Sequence, residues 1–293
     1  MPTISELFVY PIKSCGGIAL REARLLATGL EYDRYWMLTH PDGEMLTQRA
    51  YPRMALIKVE IGTDMLIIRA PGMSELRTPL DAARLDAPLK VQTKVWRDAA
   101  YGLDTGDTTA GWFSSFLGFP TRLLRFDPQR ERQVDPDYTG SVGGATTYFA
   151  DGFPLLVVGQ ASLDDLNTRL TSKGAPSISI DRFRPNVVLT GLDAYEEDYV
   201  ETLNIDGATQ AEQGVQLQLV KLCARCPMPT VDQQTGAPNP DWPNEPTDTM
   251  TTYRAKRQFD GAVTFGNNAL ISSGAGAWLR VGQEVEAEIG FGD

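Results

Sequence analysis

Two thiols close together, with a cation between them, are the residues of this chain best suited to chemistry. Cys223 and Cys226 lie in Leu222–Gly236, LCARCPMPTVDQQTG, with Arg225 beside them. A strand-like run leads into them and a proline-rich loop leads away, so the thiols fall at the end of a rigid element. Arg225 favours the thiolate, the form that attacks electrophiles and ligates metals. The spacing is that of half a zinc site, but structural zinc takes four Cys or His ligands. Only Cys15, Cys223, Cys226 and His40 are on offer, so a Cys₃His site needs all of them together. A thioredoxin-like pair needs a helix after the second cysteine, which Pro227 and Pro229 oppose. A plain role as small buried hydrophobes stays open.

A second group of residues suits an anion. The turn Tyr10–Gly17, YPIKSCGG, offers backbone N–H groups, the Ser14 hydroxyl and the Lys13 ammonium, a set that can cradle phosphate. An ordinary strand-ending turn with a solvated lysine is the competing account, and the glycine spacing is not that of a P-loop. Arg34 in EYDRYWML and Arg184 in DRFRPNVVL sit in apolar company on, or at the approach to, expected strands. An arginine there must be paired or reach into a cleft, with Asp33 and Asp181 as adjacent partners. His40, the single histidine, excludes a catalytic triad and two-histidine metal sites, and THPDG places it at an exposed turn.

The elements that must position these residues read as mostly short strands. Strand-like runs fall at Ile4–Tyr10, Arg24–Leu30, Tyr32–Leu38, Ala55–Ile61 and Met65–Arg69, divided by turn residues. Trp112, Phe113, Phe116 and Leu117 form one face of an expected helix over Thr108–Leu117. Arg125–Gly144 and Asp232–Thr247 read as long loops. Leu163, Leu166 and Leu170 give the clearest helix, Ser162–Leu170, with Ser162 as N-cap and Asp165 at N3. Strands follow at Asn186–Thr190 and Val215–Lys221, and an apolar stretch closes the chain over Ile271–Glu288. The pattern is a β-rich α+β chain of barrels or sandwiches with a few short helices, not a doubly wound sheet.

Bulk properties narrow the function. The 293 residues suit about two domains. A net charge of −11 argues against general nucleic-acid binding, which needs a positive footprint, yet leaves room for a local basic pocket. No apolar run approaches the roughly 18 residues that span a bilayer, and the start lacks the pattern of a secretory signal. With three cysteines, too few for a disulfide scaffold, the expected compartment is a reducing cytoplasm.

Taken in order, these segments resemble the MOSC family, the molybdenum-cofactor sulfurase C-terminal domain proteins. ISELFVYPIKSCGGI, GLEYDRYWML and LTQR are similar to the N-terminal β-barrel domain that accompanies MOSC domains. FADGFPLLVVGQASLDDLN, DRFRPNVVLTG, LCARCPMPTVDQQTG and VTFGNN are similar to the MOSC domain itself. The implied division is 1–120 and 121–293, an N-terminal barrel-like domain packed on a MOSC barrel. By motif the chain resembles the bacterial and mitochondrial amidoxime- and hydroxylamine-reducing proteins.

The resemblance implies a molybdenum cofactor (molybdopterin) ligated by Cys226, with Cys223 a neighbour. It implies a cofactor pocket of Lys13, Ser14, Arg34, Arg184 and Asn186, with Thr230, Gly266, Asn267, Asp151 and Gly152 lining it further. Ala224 stands where relatives often have serine, and Pro227–Pro229 where threonine or an aliphatic residue is usual; both bear on substrate preference. The implied activity is reduction of N-hydroxylated compounds by oxygen abstraction at the Cys-ligated molybdenum. The alternative is a sulfur or cofactor carrier that uses Cys226 without turnover. With no cysteine after Cys226 for a fused iron–sulfur domain, electrons are expected from a separate ferredoxin-like protein or flavin reductase. Arg122, Arg125, Arg130 and Arg132 offer one docking patch for it, a solvated loop being the plainer account.

Overall fold

The computed structural model describes residues 1–207, 213–256 and 261–290. The regular structure is mostly strand, arranged in one large sheet and three small ones. The eight-stranded sheet runs in the order Val285–Ile289, Val200–Ile205, Val215–Ala224, Thr264–Ser273, Leu155–Gly159, Val187–Thr190, Thr3–Val9, Ile18–Leu20. Its pairs are antiparallel except Leu155–Gly159 with Val187–Thr190, which run parallel. A parallel pair cannot be closed by a tight turn and needs a crossover; here it contains α2, Gln160–Ser172.

The apolar run LLVVG is buried on both faces, and its side chains alternate between two cores as the period of a strand requires. Leu155 and Val157 join Ile4, Leu7, Val9, Leu217 and Val285 on one face. Leu156 and Val158 join Leu163, Leu166, Leu170, Phe183 and Phe265 under α2 on the other. Burying each such side chain stabilises the fold by about 1.5–3 kcal/mol. The strand closes tightly on its neighbour at Gly266 (φ +75°), where a Cβ would stand 2.7 Å from Val158 Cγ2 and 2.8 Å from the Val157 carbonyl. Gly266→Ala is therefore expected to cost about 3 kcal/mol, from left-handed strain plus overpacking. Gly72, also at φ +75° but with open space around it, is the control, and Gly72→Ala should cost only about 1 kcal/mol. Urea unfolding of the two variants reads the difference.

A second body is built from Trp36–Thr39, Arg122–Phe126, Asp98–Asp104 and Lys90–Val95 in one sheet and Lys58–Ile61, Met65–Arg69 and Leu76–Pro79 in another. The helix α1, Asp107–Leu117, lays Trp112, Phe113 and Phe116 onto Trp36, Leu38, Leu66 and Ile68. The bodies interlock. Thr3–Val9 lies inside the large sheet, Glu22–Leu26 pairs with Trp278–Arg280, and Arg122–Phe126, just past residue 120, pairs with the second body's Asp98–Asp104 and Trp36–Thr39.

Several sequence expectations change. Ser162 does not cap α2: the helix begins at Gln160, and Ser162 donates from inside it to the fully buried Glu197 (2.8 Å). That carboxylate also accepts from Gly159 N at 3.1 Å. Asp165 instead sits in the helix interior, paired with Arg169. The first expected loop begins as strand as far as Phe126. The end of the second gives way to α3, Thr247–Arg254, whose Thr249 N–H is taken by Glu245 at 3.2 Å. His40 is half-buried beside Tyr51 and Phe119 rather than exposed. The arginine stretch offers no free patch. Arg122 pairs with Asp104 and Asp107, Arg125 and Arg132 are buried, and Arg130 lies over the Tyr101 ring.

Candidate functional site

The strand Val215–Ala224 delivers the thiols to a cleft where the two bodies meet. Cys223 is its penultimate residue, and Arg225 N continues the ladder to Val263 O at 2.8 Å. Pro227 and a single 3-10 turn, Met228–Thr230, then bend the chain away. The two half-exposed thiols differ in surroundings. Cys223 Sγ accepts from Arg225 Nη1 at 3.0 Å and packs against the Phe183–Phe265 core. Cys226 Sγ has no hydrogen-bond partner among the described residues. Arg225 thus attends to Cys223, not Cys226.

Opposite the thiols stand residues from three turns held in left-handed conformation without glycine: Ser14 (φ 66°), Arg34 (φ 50°) and Arg184 (φ 57°). Each costs about 1–3 kcal/mol, and such strain persists where surrounding structure imposes it, typically at functional sites. Arg34 and Arg184 therefore lie in turns and not on strands. Tyr10 is what they share. Its ring lies 4.4 Å from the Arg34 guanidinium carbon and 4.1 Å from that of Arg184. Burial holds the Tyr10 phenol well above its ordinary pKa, so the ring stays neutral beneath its two cations. Arg34 donates to Asp33 (2.5 Å), to Asn186 Oδ1 (3.3 Å) and to the Arg184 carbonyl (3.1 Å). Arg184 Nη1 donates to the Cys15 carbonyl at 2.6 Å, while its Nη2 is buried with no partner. Burial, then the charge of Arg34, lowers the Arg184 guanidinium to about 10, which leaves it charged at neutral pH. Asp181 is not its ion-pair partner, whereas Asp33 does pair with Arg34.

Lys13 is buried in the same wall and donates to Asp151 Oδ1 at 2.5 Å. Burial pulls the Lys13 ammonium below its usual range, with Asp151 opposing. Burial in the wall would push the Asp151 carboxyl up; Lys13 and the Trp96 indole outweigh it and hold the carboxyl below the usual range. Much of the Asp151 side chain still faces solvent (67% exposed), so the pair is partly screened. Arg132 fixes this loop from behind, donating to the carbonyls of Tyr148 (2.9 Å), Ala150 (2.5 Å) and Asp151 (2.7 Å).

One cleft of about 120 Å³ is lined by Lys13, Ser14, Arg34, Asp151, Gly152, Arg184, Asn186 and both thiols. Asn186 serves mostly as a brace, its side chain bonded to Leu156 N (3.1 Å) and the Phe8 carbonyl (3.2 Å). Thr230, Gly266 and Asn267 do not line the cleft. Thr230 is buried in the turn after the thiols, and Gly266 closes the sheet contact described above. Asn267 bonds Lys221 N (3.1 Å) and the Glu197 carbonyl (3.2 Å). Asn268 lines the cleft instead, one residue along a strand and so on its other face. Sequence reasoning also missed Thr47 and Phe183, although they lie within LTQR and DRFRPNVVLTG, and Trp96, which belongs to no motif. Four cations (Lys13, Arg34, Arg184, Arg225) against one carboxylate make the cleft positive inside an acidic protein. No four-ligand zinc site forms. Cys15 is fully buried, with its thiol pushed up to about 12 by burial, and the described residues hold no metal-ready cluster of His, Cys, Asp and Glu.

Fold and site together define a protein of two MOSC-type units. The family model for the MOSC N-terminal beta barrel domain matches residues 1–120 and that for the MOSC domain matches 145–286, and the chain belongs to the MOSC family. Within that family it is similar to mitochondrial amidoxime-reducing components. It is 35% identical over 258 residues to component 2 of Bos taurus and 34% identical over 261 residues to component 1 of Homo sapiens. Each comparison covers 86% of this chain and 72% of the relative. These relatives support N-reductive activity at the level of the family. Among the described residues, no helix is long and apolar enough to cross a membrane.

Proposed function

We propose that this chain reduces N-hydroxylated compounds with a molybdenum cofactor ligated by Cys226. The observation that carries the reading is the convergence of an unpartnered thiol and buried cations on one cleft of an acidic protein. The residues fit such a group. Arg184 Nη2 and Arg225 Nε are buried donors with no protein acceptor, and buried donors are satisfied in nearly every native structure, so an acceptor from outside the chain belongs there. A thiolate is the soft ligand that molybdenum takes. The free space of about 120 Å³ accepts an anion of phosphate size and little more.

In this reading Lys13, Ser14, Arg34 and Arg184 hold the phosphate, with Asn186 and Tyr10 as their supports. Asp151 and Gly152 form the wall, and Thr230, Gly266 and Asn267 hold the neighbouring elements in place. When bound, the cofactor supplies two-electron reduction of an N–O bond: the N-hydroxy compound, two electrons and two protons give the amine or amidine and water. Lys13 is oriented by the bond from its Nζ to Asp151 Oδ1. The electrons come from a separate donor protein.

The test is protein produced with molybdate, assayed for molybdenum, zinc and pterin and for turnover of an aromatic amidoxime and of hydroxylamine with a reduced artificial donor. Near-stoichiometric molybdenum with turnover is the expected result. Molybdenum or cyanide-labile sulfur without turnover would favour the carrier, and zinc without pterin would overturn both.

A further inference from the structure

The cleft has a neighbour. A cavity of about 700 Å³, within the range of about 300–1,000 Å³ typical of small-ligand pockets, is lined by His40, Met45, Arg49, Tyr51, Thr93 and Trp96 among others. Thr47 and Trp96 line both spaces, so the indole of Trp96 is part of the partition between them. The reductase reading gives this second space no task.

Trp96 is held in an unusual state. It sits at the tip of the hairpin Lys90–Val95/Asp98–Asp104 with φ 56°. A bulky side chain there is a genuine outlier at a place where glycine is the ordinary choice. The ring is 41% exposed, so burial does not explain its retention. Polar contacts fix it instead. Nε1 donates to Asp151 Oδ1 at 2.9 Å, and the Arg49 guanidinium carbon stands 4.4 Å from the ring centroid. The hairpin is tied down a second time by Arg132 Nη2 to Asp98 Oδ2 at 2.7 Å. A strained, exposed aromatic with an arginine on its ring and an anchored indole N–H is a preorganised surface for another flat π-system.

We propose that this cavity is the subsite for the organic part of the substrate, with Trp96 as its specificity-determining wall, and that it selects N-hydroxylated compounds whose N–OH group is borne on a planar aromatic ring or on the amidine carbon attached to one. The proposal rests on the reductase reading for the position of the reacting nitrogen, which must lie on the cleft side of Trp96. Hydroxylamine, which has no ring, gains nothing from the wall. The indole therefore acts on the ratio of the two substrates, while loss of its bond to Asp151 affects both alike.

The experiment compares Trp96→Gly and Trp96→Phe with wild type in the cofactor-loaded protein. Glycine removes the ring and accepts the backbone conformation, so the hairpin keeps its shape; phenylalanine restores a smaller ring. The kcat/KM ratio of an aromatic amidoxime to hydroxylamine should fall about five- to tenfold in Trp96→Gly, chiefly through KM, and recover in part in Trp96→Phe. An unchanged ratio, with both substrates altered alike, overturns the proposal and reduces Trp96 to a brace for Asp151. Calorimetric binding of the amidoxime to the same proteins separates this from the reading it rests on. Binding that weakens in Trp96→Gly without turnover in wild type upholds the subsite and sinks the reductase. Turnover with binding indifferent to Trp96 sinks the subsite alone.

Discussion

Cys226→Ser will leave a folded protein that retains less than about a tenth of the wild-type molybdenum, with turnover at background. Ligand sets respond steeply to change: altering even an outer partner of a metal ligand costs about 10–100-fold in affinity or activity, and this change removes the soft donor itself. The fold gives little reason for collateral damage. Cys226 is half-exposed, beyond the end of its strand, and among the described residues its sulfur makes no hydrogen bond, so the stability change should stay within about 0.5 kcal/mol. Cys223→Ser is the counterpart. Its sulfur is already engaged by Arg225, and serine can accept the same bond, so most of the metal should remain. Elemental analysis of the two variants decides between the thiols. Full metal in Cys226→Ser with loss in Cys223→Ser would show the assignment to be reversed.

Arg184→Met will separate binding from stability. Methionine keeps the reach and the apolar stem but removes the guanidinium that the cleft leaves half-satisfied. A charge-assisted hydrogen bond is worth about 1.5–3 kcal/mol, so binding of inorganic pyrophosphate to the cofactor-free protein should weaken about 10–100-fold. The fold should barely notice. Losing the bond to the Cys15 carbonyl costs about 1 kcal/mol, while relief of a buried charge beside Arg34 returns a similar amount. The unfolding free energy is expected within about 1 kcal/mol of wild type. Arg184→Lys should resemble the methionine variant more than wild type, because a point charge does not reproduce a planar fork lying on Tyr10. Equal pyrophosphate affinity in all three proteins would remove Arg184 from the anion site.

The strands were legible because their alternation is local. Val215, Leu217 and Leu219 announce a buried face from six residues of sequence, and all three are buried. What the sequence hid was set from a distance. Ser162 looks like a cap until Glu197, 35 residues on, takes both its hydroxyl and the Gly159 N–H. The helix TDTMTTYR has weak formers and a polar average, and a Glu245 carboxylate helps start it. Arg34 and Arg184 read as strand residues because no local rule announces left-handed arginines; those turns are imposed by the tertiary structure. The candidate site was legible in pieces, the thiols, the Lys13–Ser14 turn and the two arginines each standing out by chemistry, and only the resemblance to a family joined them. Spacing cannot bring Lys13 and Arg184 together, and Trp96 belonged to no motif.

The interlocking of the two bodies has a consequence for synthesis. Glu22–Leu26 is completed by Trp278–Arg280, and the first strand meets the segment before the last, Thr3 opposite Glu284. The strands that flank the wall carrying Lys13 and Arg34 are thus paired by residues 278–284, which are made well after the thiols. A nascent chain stalled before residue 278 holds the thiols but lacks the strand that completes Glu22–Leu26. Fastening residues 3–26 to residues 278–284 ties completion of the cleft's wall to the making of that late segment.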